Sequence, residues 1–243
     1  MKLKKLFCIG VVVFISATML PAIDLSAGVG ISFNYMRQAI KIKDSAKIGG
    51  FNTSIDAKSS TSVPSLGING FFDAQYFTAK LGMAFNVGKV KASYSYSVKA
   101  GGITDSGSGS ESIPNLKLTY FELGLFGKYP FNVGIAKLYP VAGFNFKFNT
   151  SAKSDGINFR EYMTSDQKAA LNAYYFVAGF GADIFVAGKF FLRPLGLFGI
   201  QMNSPAKNPA IGEALQALHP TLKPKSGFSY MLDIGLSIGY QFK

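Results

Sequence analysis

From Phe228 to Phe242 the chain alternates without a break. Phe228, Tyr230, Leu232, Ile234, Leu236, Ile238, Tyr240 and Phe242 occupy every second position, with Ser229, Met231, Asp233, Gly235, Ser237, Gly239 and Gln241 between them. A period of two makes one face of a strand large and apolar and the other small or polar. The length is the stronger constraint. A half-buried strand of a water-soluble sheet runs about 5–6 residues, whereas a tilted strand crossing a bilayer needs roughly 9–11. Residues 227–242 therefore read as a membrane-crossing strand.

At the other end, Lys2, Lys4 and Lys5 precede an apolar run over 6–15, then Ser16, Ala17, Thr18 and Pro21-Ala22. This is the order of a cleavable secretory leader, with cleavage expected after Ala22 and Ala17 as the alternative. The apolar run is shorter than the ~20 residues of a spanning helix. The expected division is a leader over 1–22 and a β-barrel over 23–243. Cys8 falls in the leader, so the mature chain has no thiol for a disulfide, nucleophile or metal ligand. Loss of the three lysines lowers the formal charge from +12 to +9.

Composition agrees with an exported β protein. The chain has 27 glycines, 12 tyrosines, 23 phenylalanines and no tryptophan, with 16% charged residues. No helix-length apolar run follows the leader, which excludes a helical membrane protein. The first mature strand repeats the closing pattern, with Leu25, Ala27, Val29, Ile31, Phe33 and Tyr35 alternating with Ser26, Gly28, Gly30, Ser32 and Asn34. Residues 37–65, polar and carrying Gly49-Gly50 and Pro64, read as a long loop.

An internal repeat organises the centre. Tyr76-Phe77, Tyr120-Phe121 and Tyr175-Phe176 each open an alternating run, and turns at 86–89, 132–134 and 186–189 follow. On this plan the descending strands are 68–85, 116–128, 173–185 and 227–242, and the ascending ones 25–36, 90–100, 138–149 and 190–202. The fold expected is all-β: an eight-stranded antiparallel up-and-down transmembrane β-barrel, long loops on one side, short turns on the other, and short helices in the outer loops. A soluble lipocalin-like barrel has the same strand count but must carry charges outside. Here Ser93, Ser95, Ser97, Gly179 and Gly181 suit a crowded lumen, and Phe144, Phe146 and Phe148 suit lipid.

Parity places Lys80, Glu122, Lys147, Asp183, Arg193 and Asp233 on the lumen face, where mutual pairing is expected because an unpaired confined charge is costly. A turn centred on Gly188 sets Asp183 opposite Arg193 as a cross-strand ion pair. Tyr35, Tyr94, Tyr96, Tyr120, Tyr174 and Tyr175 are assigned to an outer aromatic girdle, and Tyr129, Tyr139 and Tyr240 to an inner one. Lys89, Lys128, Lys137, Lys189 and Lys243 are placed near inner head groups or in water. Residues 106–110 read as a flexible loop tip.

The loops carry the remaining chemistry. Arg37, Lys41, Lys43, Lys47 and Lys58 against Asp44 and Asp56 give the first a positive balance that favours an anionic extracellular ligand. Thr164 and Gln167 form a capping box that predicts a short helix, and a second is predicted over 208–218. His219, the single histidine, lacks a paired acid at a recognisable spacing, so no enzyme is expected. No cofactor, metal site or nucleic-acid platform is expected either.

Gly235, Tyr240 and Phe242 in the closing strand resemble the assembly signal of small eight-stranded outer-membrane barrels of the OmpA-domain, OmpX and OmpW type. The resemblance covers 25–242 and is one of pattern elsewhere. It implies residence in the cell outer membrane. Its partners would be outer-membrane lipids, the outer-membrane assembly machinery and periplasmic chaperones. The function implied is a surface protein acting through its loops or as a structural barrel. The alternative is a narrow OmpW-like channel for small hydrophobic molecules; a soluble lipocalin-like barrel and a lipid-modifying outer-membrane enzyme rank lower.

Overall fold

A computed structural model describes residues 24–48, 51–113, 115–203 and 224–242. The expected leader, the helix expected over 208–218, His219 and Lys243 lie outside the described residues. The strands are β1 (Leu25–Ile48), β2 (Phe51–Ala74), β3 (Phe77–Asn86), β4 (Val90–Ala100), β5 (Ile103–Ile113), β6 (Lys117–Lys128), β7 (Phe131–Val133), β8 (Ala136–Ser154), β9 (Ile157–Asn158), β10 (Ala173–Ala187), β11 (Phe190–Gln201) and β12 (Pro224–Gln241). They form one antiparallel sheet, and eight of them close a ring in the order β1, β12, β11, β10, β8, β6, β3, β2, with β2 returning to β1. Strands β4 and β5 extend from β2 outside that ring.

The ring holds eight strands, but not the eight expected. Residues 68–85 are two strands, because β2 stops at Ala74 and β3 starts at Phe77. The two-residue turn between them carries neither glycine nor asparagine, which is why it left no sequence signal. Gln75 adopts φ 44° there. Its N–H donates to the Asp24 carbonyl at 2.9 Å, and Tyr76 accepts from the Lys128 N–H at 2.8 Å. Neighbouring strands thus hold the turn where local chemistry does not.

That unmarked turn shifts everything up to β6. Residues 90–100 are not a ring strand, and the Gly88 turn lies at the long-connection end, opposite Gly188. Residues 37–65 are not a loop: β1 and β2 are 24 residues each and stay paired from Leu25↔Ala74 to Ile48↔Phe51. Strands β3, β6 and β11 have only 10 to 12. At about 3.3 Å per residue the excess projects roughly 40 Å beyond the ring. The outer half of β2 takes β4 as its second neighbour from Thr53 to Ser62, and the inner half takes β3 from Ser65 to Ala74. Pro64 sits at the change-over. Its carbonyl accepts from the Val87 N–H at 2.9 Å on that side, so its missing N–H falls where no ladder continues.

Strands β1, β2, β4 and β5 form a blade with two unlike faces. Register puts Ile40, Ile42, Ile55, Tyr94, Tyr96 and Val98 on one, and Lys41, Lys58, Ser60, Ser93, Ser95 and Ser108 on the other. The Gly-Ser repeat over 106–110 is strand β5 rather than a loop tip. Its glycines lie under rings, since a Cβ at Gly107 or Gly109 would come within 2.7 Å of Tyr96 or Tyr94. At the same end of the ring, helix α1 (Ser165–Ala170) begins at Thr164, where the predicted capping box with Gln167 is complete.

Candidate functional site

The eight ring strands project alternate residues inward, and the two sides of the wall differ sharply. Val29, Ile68 and Phe180 point outward at 68%, 67% and 75% exposure, while Lys147 and Glu122 point inward at 0% and 1%. Apolar residues outside and ions inside reverse the arrangement of a water-soluble barrel.

The lumen is layered. Nearest the short-turn end, Asp183 and Arg193 stand opposite each other across the Gly188 turn. Arg193 Nε and Nη2 donate to the two Asp183 oxygens at 2.6 and 2.8 Å. Nη2 also meets Asp73. The guanidinium lies against two neighbouring rings, 4.0 Å from the Phe71 centroid and 5.1 Å from that of Phe191. Lys128 Nζ reaches Asp73 at 2.9 Å and Asp183 at 3.8 Å. Tyr139 donates to Asp183 at 3.0 Å, and Ser26 to Asp73 at 3.1 Å. These partners give the two carboxylates and two cations the extra hydrogen bonds that buried ions require.

In the middle layer Lys80 meets Asp233 at 2.8 Å, while Lys147 pairs with Glu122 and donates to Asn34 at 3.0 Å. Toward the blade the filling becomes apolar, with Met36, Val63, Tyr120, Tyr175, Leu197 and Met231 in one buried cluster. Tyr120, Tyr175 and Tyr139 therefore belong to the lumen rather than to the girdles, as odd or even position on their strands requires. Two interior cavities measure about 30 Å³, beside Asp73 and Lys128, and about 20 Å³, beside Lys80 and Arg193. Each is the size of a water molecule.

All six ionisable residues read from the sequence as lumen-facing lie inside this wall, in these two layers. Sequence reasoning missed Asp73 and Lys128. Asp73 was displaced by the unmarked turn, which reverses which residues of β2 face inward. Lys128 carried a usable signal, because it shares even numbering on β6 with Glu122; assigning it to the head-group layer was an error of strand ends. Four cations, Lys80, Lys128, Lys147 and Arg193, face four anions, Asp73, Glu122, Asp183 and Asp233. Among the described residues the charges buried inside the ring therefore cancel.

The residues read as an assembly signal lie at the ring's seam. Gly235 pairs with Ser32 and Leu195 on its two sides, and Tyr240 with Ala27 and Phe190. The Phe242 N–H donates to the Leu25 carbonyl at 2.8 Å. Lys137, expected near head groups, instead reaches Asp24 at 2.7 Å. Lys189 donates to the Phe242 carbonyl at 3.0 Å.

On the blade, Lys43 meets Asp56 at 3.0 Å and Lys41 approaches it at 3.9 Å. The Lys43 hydrogen bond holds the Asp56 carboxyl below the usual carboxylate range.

The family model of the outer membrane protein beta-barrel domain matches residues 17–201. No curated protein matches the chain significantly. Among solved structures, the translocator domain of the autotransporter NalP from Neisseria meningitidis is 12% identical with a TM-score of 0.24, over 95% of this chain and 92% of that one. The InvG secretin of the Salmonella SPI-1 injectisome, in the open gate state, is 8% identical with a TM-score of 0.24, over 97% and 65% of the two chains. Aeromonas hydrophila ExeD is 8% identical with a TM-score of 0.23, over 97% and 52%.

Proposed function

We propose a function for a chain that belongs to the family of outer membrane protein β-barrel domains: the ring is a sealed anchor, and the protein acts through the blade it holds above the membrane. The ring crosses the outer membrane as an eight-stranded barrel with its short turns and first strand end in the periplasm, as in barrels of this type. The blade then stands at the cell surface. The observation that carries this reading is the reversed wall, with exposed Val29, Ile68 and Phe180 outside a lumen filled by paired ions and an apolar cluster.

No catalytic step enters this reading. Its partners are outer-membrane lipids around the ring and, during biogenesis, the chaperones and assembly machinery that would engage the strand ending in Tyr240 and Phe242. The competing OmpW-like conduit requires a passage through or out of the lumen. Planar-bilayer recording together with uptake of hydrophobic probes separates the two. The sealed anchor gives no stepwise conductance and no protein-dependent uptake; a steady conductance, or uptake that follows the protein's abundance, would establish the conduit instead.

A further inference from the structure

We propose that the lysine- and serine-bearing face of the blade binds the phosphorylated head group of an outer-leaflet glycolipid. The inference rests on the reading above, in which β1 and β12 cross the membrane and the blade stands outside it. Parity gives the first step. Val29, Ile31 and Phe33 leave β1 on the outer side of the wall, exposed for lipid contact. Arg37, Ala39 and Lys41 continue the same side of the same strand, so this face of the blade rises directly from the lipid-contacting surface.

The level of the interface is marked just below. Tyr230 lies 6.4 Å from Tyr35, 6.0 Å from Phe198 and 6.2 Å from Phe228 between ring centroids. Aromatic side chains gather at head-group depth because one end of the ring is apolar and the other wet. Immediately beyond them is a groove of about 780 Å³, lined by Arg37, Lys41 and Lys58 over a floor that includes Ser60, Ser93 and Ser95, with Phe228 at its margin.

The chemistry of this lining is one-signed. Among the described residues, three cations and no acid line the groove; the neighbouring acid, Asp56, bonds Lys43 at 3.0 Å and lies 3.9 Å from Lys41. Arg37 offers a planar fork suited to phosphate oxygens, and the lysines add point charges. Serine hydroxyls both donate and accept, which suits phosphate and sugar alike. Phe228 gives the margin an apolar element for the lipid end of the ligand. A soluble polyanion would find the same cations but would leave the groove's membrane-side opening unused. The position of the groove at the aromatic band therefore favours a lipid.

The test compares wild type with the triple variant Arg37→Gln, Lys41→Gln, Lys58→Gln, all on the blade and outside the ring. Both are placed in phosphatidylcholine nanodiscs doped with diphosphoryl lipid A or its dephosphorylated form, and retained lipid is read by native mass spectrometry. Wild type should retain diphosphoryl lipid A, with a loss of roughly tenfold or more in the triple variant, as expected when charge-assisted contacts to phosphate are removed. The dephosphorylated lipid should be retained weakly and equally by both. Equal retention of diphosphoryl lipid A by the two proteins would overturn the proposal. So would a soluble phosphorylated polysaccharide that displaces the lipid at equal phosphate concentration, since it would make the ligand a free polyanion. Failure of the wild type to enter nanodiscs with a heat-modifiable gel shift would instead overturn the membrane reading beneath it.

Discussion

Arg193 is the residue on which the lumen's inner layer depends. It bonds both oxygens of Asp183, meets Asp73 and packs against Phe71 and Phe191. Arg193→Ala leaves Lys128 as the one cation paired with the two buried carboxylates among the described residues, and breaking a buried pair from one side costs roughly 3–5 kcal/mol. Urea unfolding in phospholipid vesicles should show a loss of that order. The double change Asp183→Asn with Arg193→Gln removes both charges and should cost less than the single one. A single change as mild as the double would show that the pair is not desolvated. Phe242 makes a different prediction at the same scale. Its ring lies 5.5 Å from that of Tyr240, which in turn lies 4.9 Å from Phe190 at the seam of the ring. Phe242→Ala should lower the yield of membrane-inserted, heat-modifiable protein more than deletion of Lys243 does; equal yields would remove Phe242 from the assembly signal.

At the scale of elements, the blade and the ring should separate. None of the eight ring pairings uses β4 or β5. They attach instead through the β2–β4 ladder from Thr53 to Ser62, and through Val90, which is buried in the apolar cluster inside the ring. Replacing 92–111 by a short glycine-serine linker, which keeps Val90 in its cluster, should leave insertion intact because no ring pairing is removed. Loss of insertion would return 90–100 to the wall. The same elements show what the sequence could reveal. Strands with one apolar outer face alternate so strongly that β10, β11 and β12 and their turn at Gly188 were legible. The capping box at Thr164 was legible because its chemistry is local. Two features were not. The turn at Gln75 and Tyr76 is held by Asp24 and Lys128, which are remote in sequence. The blade's alternation, Ile40-Lys41-Ile42-Lys43 and Tyr94-Ser95-Tyr96-Ser97, lies among serines and glycines that also compose loops. For the lumen ions, everything depended on parity, so Asp73 was lost with the turn that reverses it.

For the whole molecule, a ring that is apolar outside and ionic inside carries the blade at one end. The surface role and the lipid groove both depend on the orientation of that pair, since both fail if the blade faces the periplasm. The chain carries one cysteine, Cys8 in the expected leader, so single engineered thiols report cleanly. Thr104 on β5 and Lys189 in the β10–β11 turn are both exposed and lie at opposite ends of the ring. The deciding measurement is labelling of Thr104→Cys and Lys189→Cys on intact cells with a membrane-impermeant maleimide. Thr104→Cys should react at once and Lys189→Cys only after the outer membrane is permeabilised. Labelling of Lys189→Cys on intact cells, with Thr104→Cys protected, would put the blade in the periplasm and overturn the surface role.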